Sequence, residues 1–476
     1  MPPSGEPSSF LQGPATVVQI DLATHSARIS EPADGLPLPR RIWAIAAISF
    51  GTSLFVIDGS IANVALPTIA AELGIESGAV VAVVTLYQLV LVMALFPFAS
   101  LGDRIGHRTA YQIGQAIFLV ASAAALLVDS FGELLLVRGA QAIGAGMALS
   151  VSAAMLRQVY PARQLGSGLG INSVIVASSN ALAPTLGGLI VGNGDWRWVF
   201  CAAVPFAVIS LLLGRALPDP KPRGEAIDWI GGVWSAVSVG LVIGGLELAI
   251  HGGLMPVGVA SMTIGVLSTV LLVRRERKRT RPVVPVDLIG QRVIGLSVLG
   301  AIAAFVASAA LVVALPFRFE TGMGYSPTEV GLLILPFPLT LLIVAPLAGW
   351  LSDRVLPSLL GIGGMALAIA GLLAMAFLPA TAGWTDIAWR LVLCAAGFGF
   401  FLAPNSRLII GEAPVDRAAA AGGLLSTSRL LGQTLGASMV GLVLALGLGL
   451  GPTPLLIAAA LALVAGLCSV VRLRTT

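Results

Sequence analysis

The chain is poor in charge. Only 11% of its 476 residues are Asp, Glu, Lys or Arg, against about a quarter in soluble domains. A water-soluble fold of this composition would expose far more contiguous apolar surface than soluble proteins carry. Cysteine is scarce as well. Cys201, Cys394 and Cys468 stand apart within apolar runs, without metal-ligand spacing or a disulfide framework, and read as small buried hydrophobes. His25, His107 and His251 do not cluster, so no metal site is expected. No phosphate-cradling P-loop is present, which argues against direct use of ATP. The clustered His, Asp or Glu of a membrane-embedded enzyme are missing, so no enzymatic activity is expected. The net charge of +4 is not a nucleic-acid signal.

What the chain has is apolar length. Hydrophobic residues make up 57% and mean hydropathy is +0.96. From Ile42 to Val471 there are fourteen apolar segments, several near or above the roughly 20 residues that cross a bilayer. They are continuously apolar, without the two-residue alternation of a membrane barrel. The expected fold is an all-α polytopic membrane protein with fourteen transmembrane helices. Residues 1–41 form a polar tail without a signal-peptide pattern, expected to be disordered and cytoplasmic.

The placement of charge supports the count. Arg40, Arg41, Arg104, Arg108, Arg157 and the basic run from Arg274 to Arg281 fall on one side of the alternating spans. Glu72, Glu76, Asp129, Glu133, Asp195, Glu320 and Glu329 fall on the other. Basic loops mark the cytoplasmic side, so both termini are expected there. The run at 274–281 is expected to set topology and to touch anionic lipid headgroups.

The chain also repeats itself. Val64-Ala65-Leu66-Pro67 returns as Val313-Ala314-Leu315-Pro316, and Asp103-Arg104 as Asp353-Arg354. Arg138 ahead of Gly144 returns as Arg390 ahead of Gly397, and Thr185-Leu186-Gly187 as Thr434-Leu435-Gly436. All four offsets are about 250 residues. The expected organisation is a six-helix bundle over 42–216, a linker with two extra helices over 217–291, and a second six-helix bundle over 292–472. Parallel repeats of this kind are a plan of alternating-access transporters, with the substrate site between the halves near the midplane.

Several polar residues stand out against this background. Asp58 lies on the order of 24 Å along the first helix from Arg41. A carboxylate at that depth is costly and is a functional candidate by default; removal from water favours its protonated form. The competing reading is a structural Asp bonded to a neighbouring helix. Arg138 lies about 8 Å into the fourth span; it either approaches Asp58 or is solvated at the outer rim. Asp103, Arg104 and Arg108, with Asp353 and Arg354 as their echo, form either a latch on the cytoplasmic face or ordinary topogenic charge. Pro184, Gly187 and Gly188 in the fifth span suit a bend and a close helix contact. Asn63, Arg429 and Gln433 are candidates for the substrate cavity. Arg429 is equally open to pairing with an acid or to anchoring backbone. Glu247 is a further cavity candidate, although an interfacial acid is its more natural reading.

These residues resemble the major facilitator superfamily, and within it the fourteen-helix drug:proton antiporter branch. Asp58-Gly59-Ser60-Ile61-Ala62-Asn63-Val64-Ala65-Leu66-Pro67 is similar to that branch's first-helix signature. Ala99 to Arg108 resembles the superfamily's loop between helices two and three, with Ala99 for the usual Gly and His107 for the usual Arg. Leu136 to Gly144 resembles the fourth-helix motif, whose Arg, here Arg138, is linked to proton transfer; Ala142 replaces a usual Gly. Ala183 to Gly188 resembles the antiporter motif of helix five. Trp196 to Pro205 fits the branch, without the usual Asn before Pro. The resemblance implies a monomeric, multi-pass exporter of the bacterial inner membrane, with protons as coupling ion and no cofactor. Its partners would be the lipid bilayer and an amphipathic small molecule. Cationic compounds are the first expectation, because the buried charge singled out is negative. The alternative is a lipid, an acidic metabolite or a siderophore-like product, with Arg429 supplying the charge.

Overall fold

The computed structural model describes residues 35–161, 165–218, 229–251, 255–277, 285–379, 381–414 and 418–474. Most of the expected tail, and the end of the basic run from Lys278 to Arg281, lie outside the described residues. Backbone inside hydrocarbon must satisfy its own hydrogen bonds, and the helix does so within one segment. Accordingly every described element is helical. The first are α1 (Leu38–Leu73), α2 (Ser77–Val80), α3 (Ala82–Ile105), α4 (His107–Ala124), α5 (Phe131–Val159), α6 (Leu165–Asn193) and α7 (Val204–Leu213). Next come α8 (Trp229–His251), α9 (Met255–Glu276) and the short α10 (Val286–Ile289). The last are α11 (Arg292–Pro316), α12 (Pro327–Ile334), α13 (Pro336–Leu351), α14 (Pro357–Ala376), α15 (Trp384–Gly411), α16 (Ala418–Ala445) and α17 (Thr453–Leu473).

Among the described residues twelve helical stretches have the length and apolarity to cross a membrane. The other two long helices, α6 with 29 residues and α16 with 28, coincide with the fifth and thirteenth expected spans. Three expected spans are interrupted. The second breaks at Val81, and the tenth at Leu335, ahead of Pro336, where proline removes a donor and crowds the preceding turn. The sixth is pieced together from a 3-10 turn over Trp196–Cys201, α7, and a second 3-10 turn over Gly214–Ala216. Just past Pro316 the end of α11 widens into a π-turn over Phe317–Gly322. The charged island at 102–108 is a one-residue turn. Gly106, at φ 96°, ends α3 and starts α4, a conformation that glycine adopts without a steric penalty.

The helix contacts come in matching sets. α1 packs on α6 and α7, α3 and α4 pack on α5; likewise α11 packs on α16 and α17, α13 and α14 on α15. The crossings match in detail: Gly114 of α4 meets Gly144 of α5, and Gly364 of α14 meets Gly397 of α15. α8 and α9 pair with each other; α8 also lies on α3 and touches α16. α9 turns Val257, Val259, Ile264, Val266 and Leu267 outward, as a helix facing lipid does.

The buried side chains form one large core and two smaller ones. The large core unites both sets of helices, from Leu66, Val80 and Trp196 to Phe319, Val330 and Ile387. Toward the end of the molecule bearing Arg41, Arg104 and Arg472 the core divides. One part contains Ala47, Tyr111, Met155 and Tyr160, the other Leu288, Ile294, Ala301 and Ile409.

Candidate proton-coupling site

Asp58 and Arg138 meet. Asp58 is on α1 and Arg138 on α5, and both side chains are wholly buried. Nη1 of Arg138 donates to Asp58 Oδ2 at 2.9 Å and Oδ1 at 3.1 Å. The same nitrogen donates to Gln141 Oε1 at 2.8 Å, and Nε donates to the Val83 carbonyl at 3.3 Å. Gln141 is fixed in turn, its Nε2 donating to Ser122 Oγ at 2.8 Å. The guanidinium lies 4.0 Å from the centre of the Tyr87 ring and 5.2 Å from that of Phe200. Such contacts are favourable for a cation taken out of water. Arg138 thus keeps acceptors and rings around it apart from Asp58. One polar atom of the cage, Arg138 Nη2, is buried without a hydrogen-bond partner, and the Tyr87 hydroxyl faces Asp58.

Breaking a buried pair by removing one partner typically costs about 3–5 kcal/mol. A pair of this kind has two economical states: both members charged and in contact, or the acid protonated and free to separate. A titratable lock between α1 and α5 is what the arrangement can provide chemically.

The other singled-out residues fall in several places. Asn63, five residues beyond Asp58, donates to the Ser60 carbonyl at 3.1 Å and leaves its Oδ1 buried and unpartnered. Ser60 donates to Asn180 of α6 at 2.8 Å. Pro184, Gly187 and Gly188 sit where α6 crosses its neighbours. A side chain at Gly187 would meet Ile61 of α1 at 3.0 Å, and one at Gly188 would meet the Pro327 carbonyl at 2.5 Å and Gly331 at 3.0 Å. Thr328 closes this crossing by donating to the Gly188 carbonyl at 3.1 Å. Nearby, Thr68 of α1 donates to Glu320 of the π-turn at 3.1 Å.

In the loop echo Asp353 pairs with Arg407 at 3.1 Å, and Arg407 also donates to the Ser352 carbonyl. Arg354 instead stacks on Trp350 at 3.6 Å. In the first loop Arg104 is exposed and Arg108 half-buried, and the Asp103 side chain lies outside the described residues. Glu247 is not a free interfacial acid: Ser438 of α16 donates to its Oε1 at 2.5 Å. Arg429 and Gln433 are half-buried on α16, with Arg429 Nε shielded and unpartnered. Among the described residues no three His, Cys, Asp or Glu come together as a metal site.

Sequence reasoning missed Gln141, Ser122, Tyr87, Asn180 and Arg407. Gln141 carried a signal, standing three residues after Arg138 on the same helix face. The rest carried none, because each owes its role to a contact between distant helices.

The model of the Major Facilitator Superfamily matches residues 48–437 and 297–475. The chain is 41% identical over 415 residues to the uncharacterized transporter YebQ of Escherichia coli, covering 87% of this chain and 91% of that one. It is 28% identical to the riboflavin transporter RibZ of Clostridioides difficile, over 82% of this chain and 85% of that one. It is 29% identical to the multidrug resistance protein Stp of Mycobacterium tuberculosis, over 85% and 76%. Among solved structures it superposes on a bacterial homologue of the human lysosomal transporter Spinster, inward-facing and unoccupied. The TM-score is 0.66 at 18% identity, over 92% of this chain and 98% of that one. The chain belongs to the Major Facilitator Superfamily: it is a bacterial, multi-pass secondary transporter of small organic molecules, not an enzyme.

Proposed function

We propose that this chain is a proton-coupled antiporter that exports amphipathic compounds by alternating access, with both termini in the cytoplasm. Its working parts are two six-helix halves, residues 42–216 and 292–472, with the α8–α9 hairpin inserted between them. The matching helix contacts and the two Gly–Gly crossings support the division into halves. The one observation that carries the coupling is the wholly buried Asp58–Arg138 pair.

In the proposed cycle, proton binding to Asp58 dissolves the pair. Arg138 remains held by Gln141, Val83 and the two rings, so it is α1 that gains freedom to move against α5. Release of the proton restores the lock. We read the undivided core at the Leu66 end and the divided core at the Arg41 end as a state closed outside and parted toward the cytoplasm. The Gly188–Gly331 crossing and the Thr68–Glu320 bond are the outer closure. In the opposite state the cytoplasmic loops close. Asp103, Arg104 and Arg108 serve one half of that latch, and Asp353, Arg354 and Arg407 the other.

Multidrug export is the first substrate reading, in line with the name of one relative. Asp58 is engaged by Arg138 and is not presented to a cationic compound here, so the expected preference for cations has no free carboxylate behind it in this state. The test is Asp58→Asn in everted vesicles with an imposed pH gradient. Gradient-driven transport should fall at least tenfold while folding and substrate binding persist. Transport at the wild-type rate would sink the proposed role.

A further inference from the structure

Arg429 lies where α16 passes from one hydrophobic core to another. Ala421 and Leu424 belong to the core with Ile294, Ala301 and Ile409; Leu430 belongs to the core with Ala47, Tyr111 and Met155. Neighbouring residues assign the faces of this helix at about 100° per residue. Gly432 and Gly436 lie against Ile302, Phe305 and Val306 of α11. Ser438 points to Glu247 of α8. The face opposite Ser438, away from the hairpin, carries Ser426, Arg429 and Gln433. At that spacing Arg429 shares the bearing of Gly436, and Gln433 stands midway between that bearing and Leu430's, so the pair lies at the boundary between the two smaller cores.

Arg429 differs from the other deep arginines. Arg138 holds the oxygens of Asp58, Gln141 and Val83. Arg472 holds Ser297, Ser358, Asn405 and Ser469. Arg429 makes no ion pair and no hydrogen bond among the described residues, and its Nε is out of reach of solvent. A shielded donor without an acceptor is expensive, and a guanidinium cannot shed its proton to escape the cost. Among the described residues nothing supplies that acceptor, and a ligand from outside the chain would. A guanidinium fork matches the two oxygens of a carboxylate or the like.

We infer that Arg429, with the Gln433 amide one turn away, binds the acidic group of the transported molecule, so that the substrate is an amphipathic organic acid. The inference rests on the export reading for the word transported; the binding step stands without it. The two oxygens accept from the guanidinium and the apolar body lies along the parted cores. Asp58, one helix set away and tied to Arg138, handles the proton.

The test is fluorescence binding to the purified full chain in phosphatidylcholine bilayers, with three probes sharing one apolar body: pyrene-1-butyrate, its amide, and a pyrenylalkyl trimethylammonium. Wild type should bind the carboxylate at least about tenfold more tightly than either congener, as a charge-assisted bond requires. Arg429→Gln should level the three to within about twofold, and Arg429→Lys should keep part of the preference. Equal binding by wild type, or a preference surviving in Arg429→Gln, overturns the inference. If Arg429→Gln does not fold, the wild-type ranking and Arg429→Lys decide it. Phosphatidylglycerol added to the bilayer separates the two sources of the anion. If it abolishes probe binding only when Arg429 is present, the site belongs to a lipid headgroup and the inference falls. Failure of the export reading looks different: pH-driven transport is absent while the carboxylate preference remains.

Discussion

Arg138 and Arg390 occupy the same place in the two repeats and have opposite fates. Each sits about two turns into its helix, ahead of a glycine at which that helix crosses its neighbour. Arg138 turns inward to a buried acid. Arg390 turns back toward the rim, donating to the Ala374 carbonyl at the end of α14 at 3.0 Å and to Asp386 at 3.3 Å. The reason lies one helix away. Counting from the shared Val-Ala-Leu-Pro sequence, the counterpart of Asp58 is Ala307, buried and apolar. With no carboxylate to meet, the second arginine caps a helix end, where a cation is favoured by the carbonyl dipoles. The two helix sets share matching contacts, and only one of them carries the charge pair.

The sharpest way to break this contrast is to remove each arginine. Arg138→Met leaves Asp58 buried without a counterion and should lower stability by about 3–5 kcal/mol. Arg390→Met loses bonds to the Ala374 and Asp386 carbonyls and a rim ion pair, all at a part-exposed site, and should cost about 1–2 kcal/mol. Chemical unfolding in detergent measures both. Adding Asp58→Asn should restore most of the loss in the Arg138→Met protein and nothing in the Arg390→Met protein. Equal costs for the two single variants would mean that the halves are chemically alike after all.

A second, smaller effect tests whether the second half keeps a buried cation of its own. Arg472 bonds Ser297 Oγ at 2.7 Å and Asn405 Oδ1 at 2.8 Å, and is only 1% exposed. Its acceptors on α11, α14, α15 and α17 are the neutral oxygens of Ser297, Ser358, Asn405 and Ser469. Arg472→Leu should therefore cost about 2–3 kcal/mol, the penalty for orphaned buried acceptors, without altering the response of transport to a pH gradient. A variant that folds normally yet loses its coupling would move part of the proton chemistry into the second half.

The membrane made part of this legible beforehand. Charges are rare enough in apolar spans that Asp58 and Arg138 stood out singly, and the repeat was visible in short motifs. Apolar length placed the helices to within a few residues. What the sequence could not convey was rotation about each helix axis. Gln141, Ser122 and Tyr87 are ordinary polar residues until α3, α4 and α5 are assembled around Arg138. The partner of Asp353 is Arg407, 54 positions on, not the adjacent Arg354. The partner of Glu247, Ser438, is likewise 191 positions away. The interruptions at Val81 and Leu335 lie within runs whose hydropathy gives no warning of a break.

The smallest expected effect concerns the seam where the halves touch. Thr68 of the first half and Glu320 of the second share a hydrogen bond, and the second oxygen of Glu320 is buried without a partner. The bond sits at a π-turn, a feature frequent at functional sites. Thr68→Val removes the donor and keeps the shape, which should cost about 1 kcal/mol of outer closure, or roughly a fivefold rise in the open population. Thr434→Val, which removes a bond inside one helix of the second half, to the Leu430 carbonyl at 2.8 Å, is the matched control. Amide exchange over residues 69–76 and 317–325 should speed up severalfold in the first variant and stay unchanged in the second, since exchange reports local opening. Equal exchange in both would mean that the Thr68–Glu320 bond adds nothing to a seam already held by the Gly188–Gly331 crossing, the Thr328 bond and the shared core.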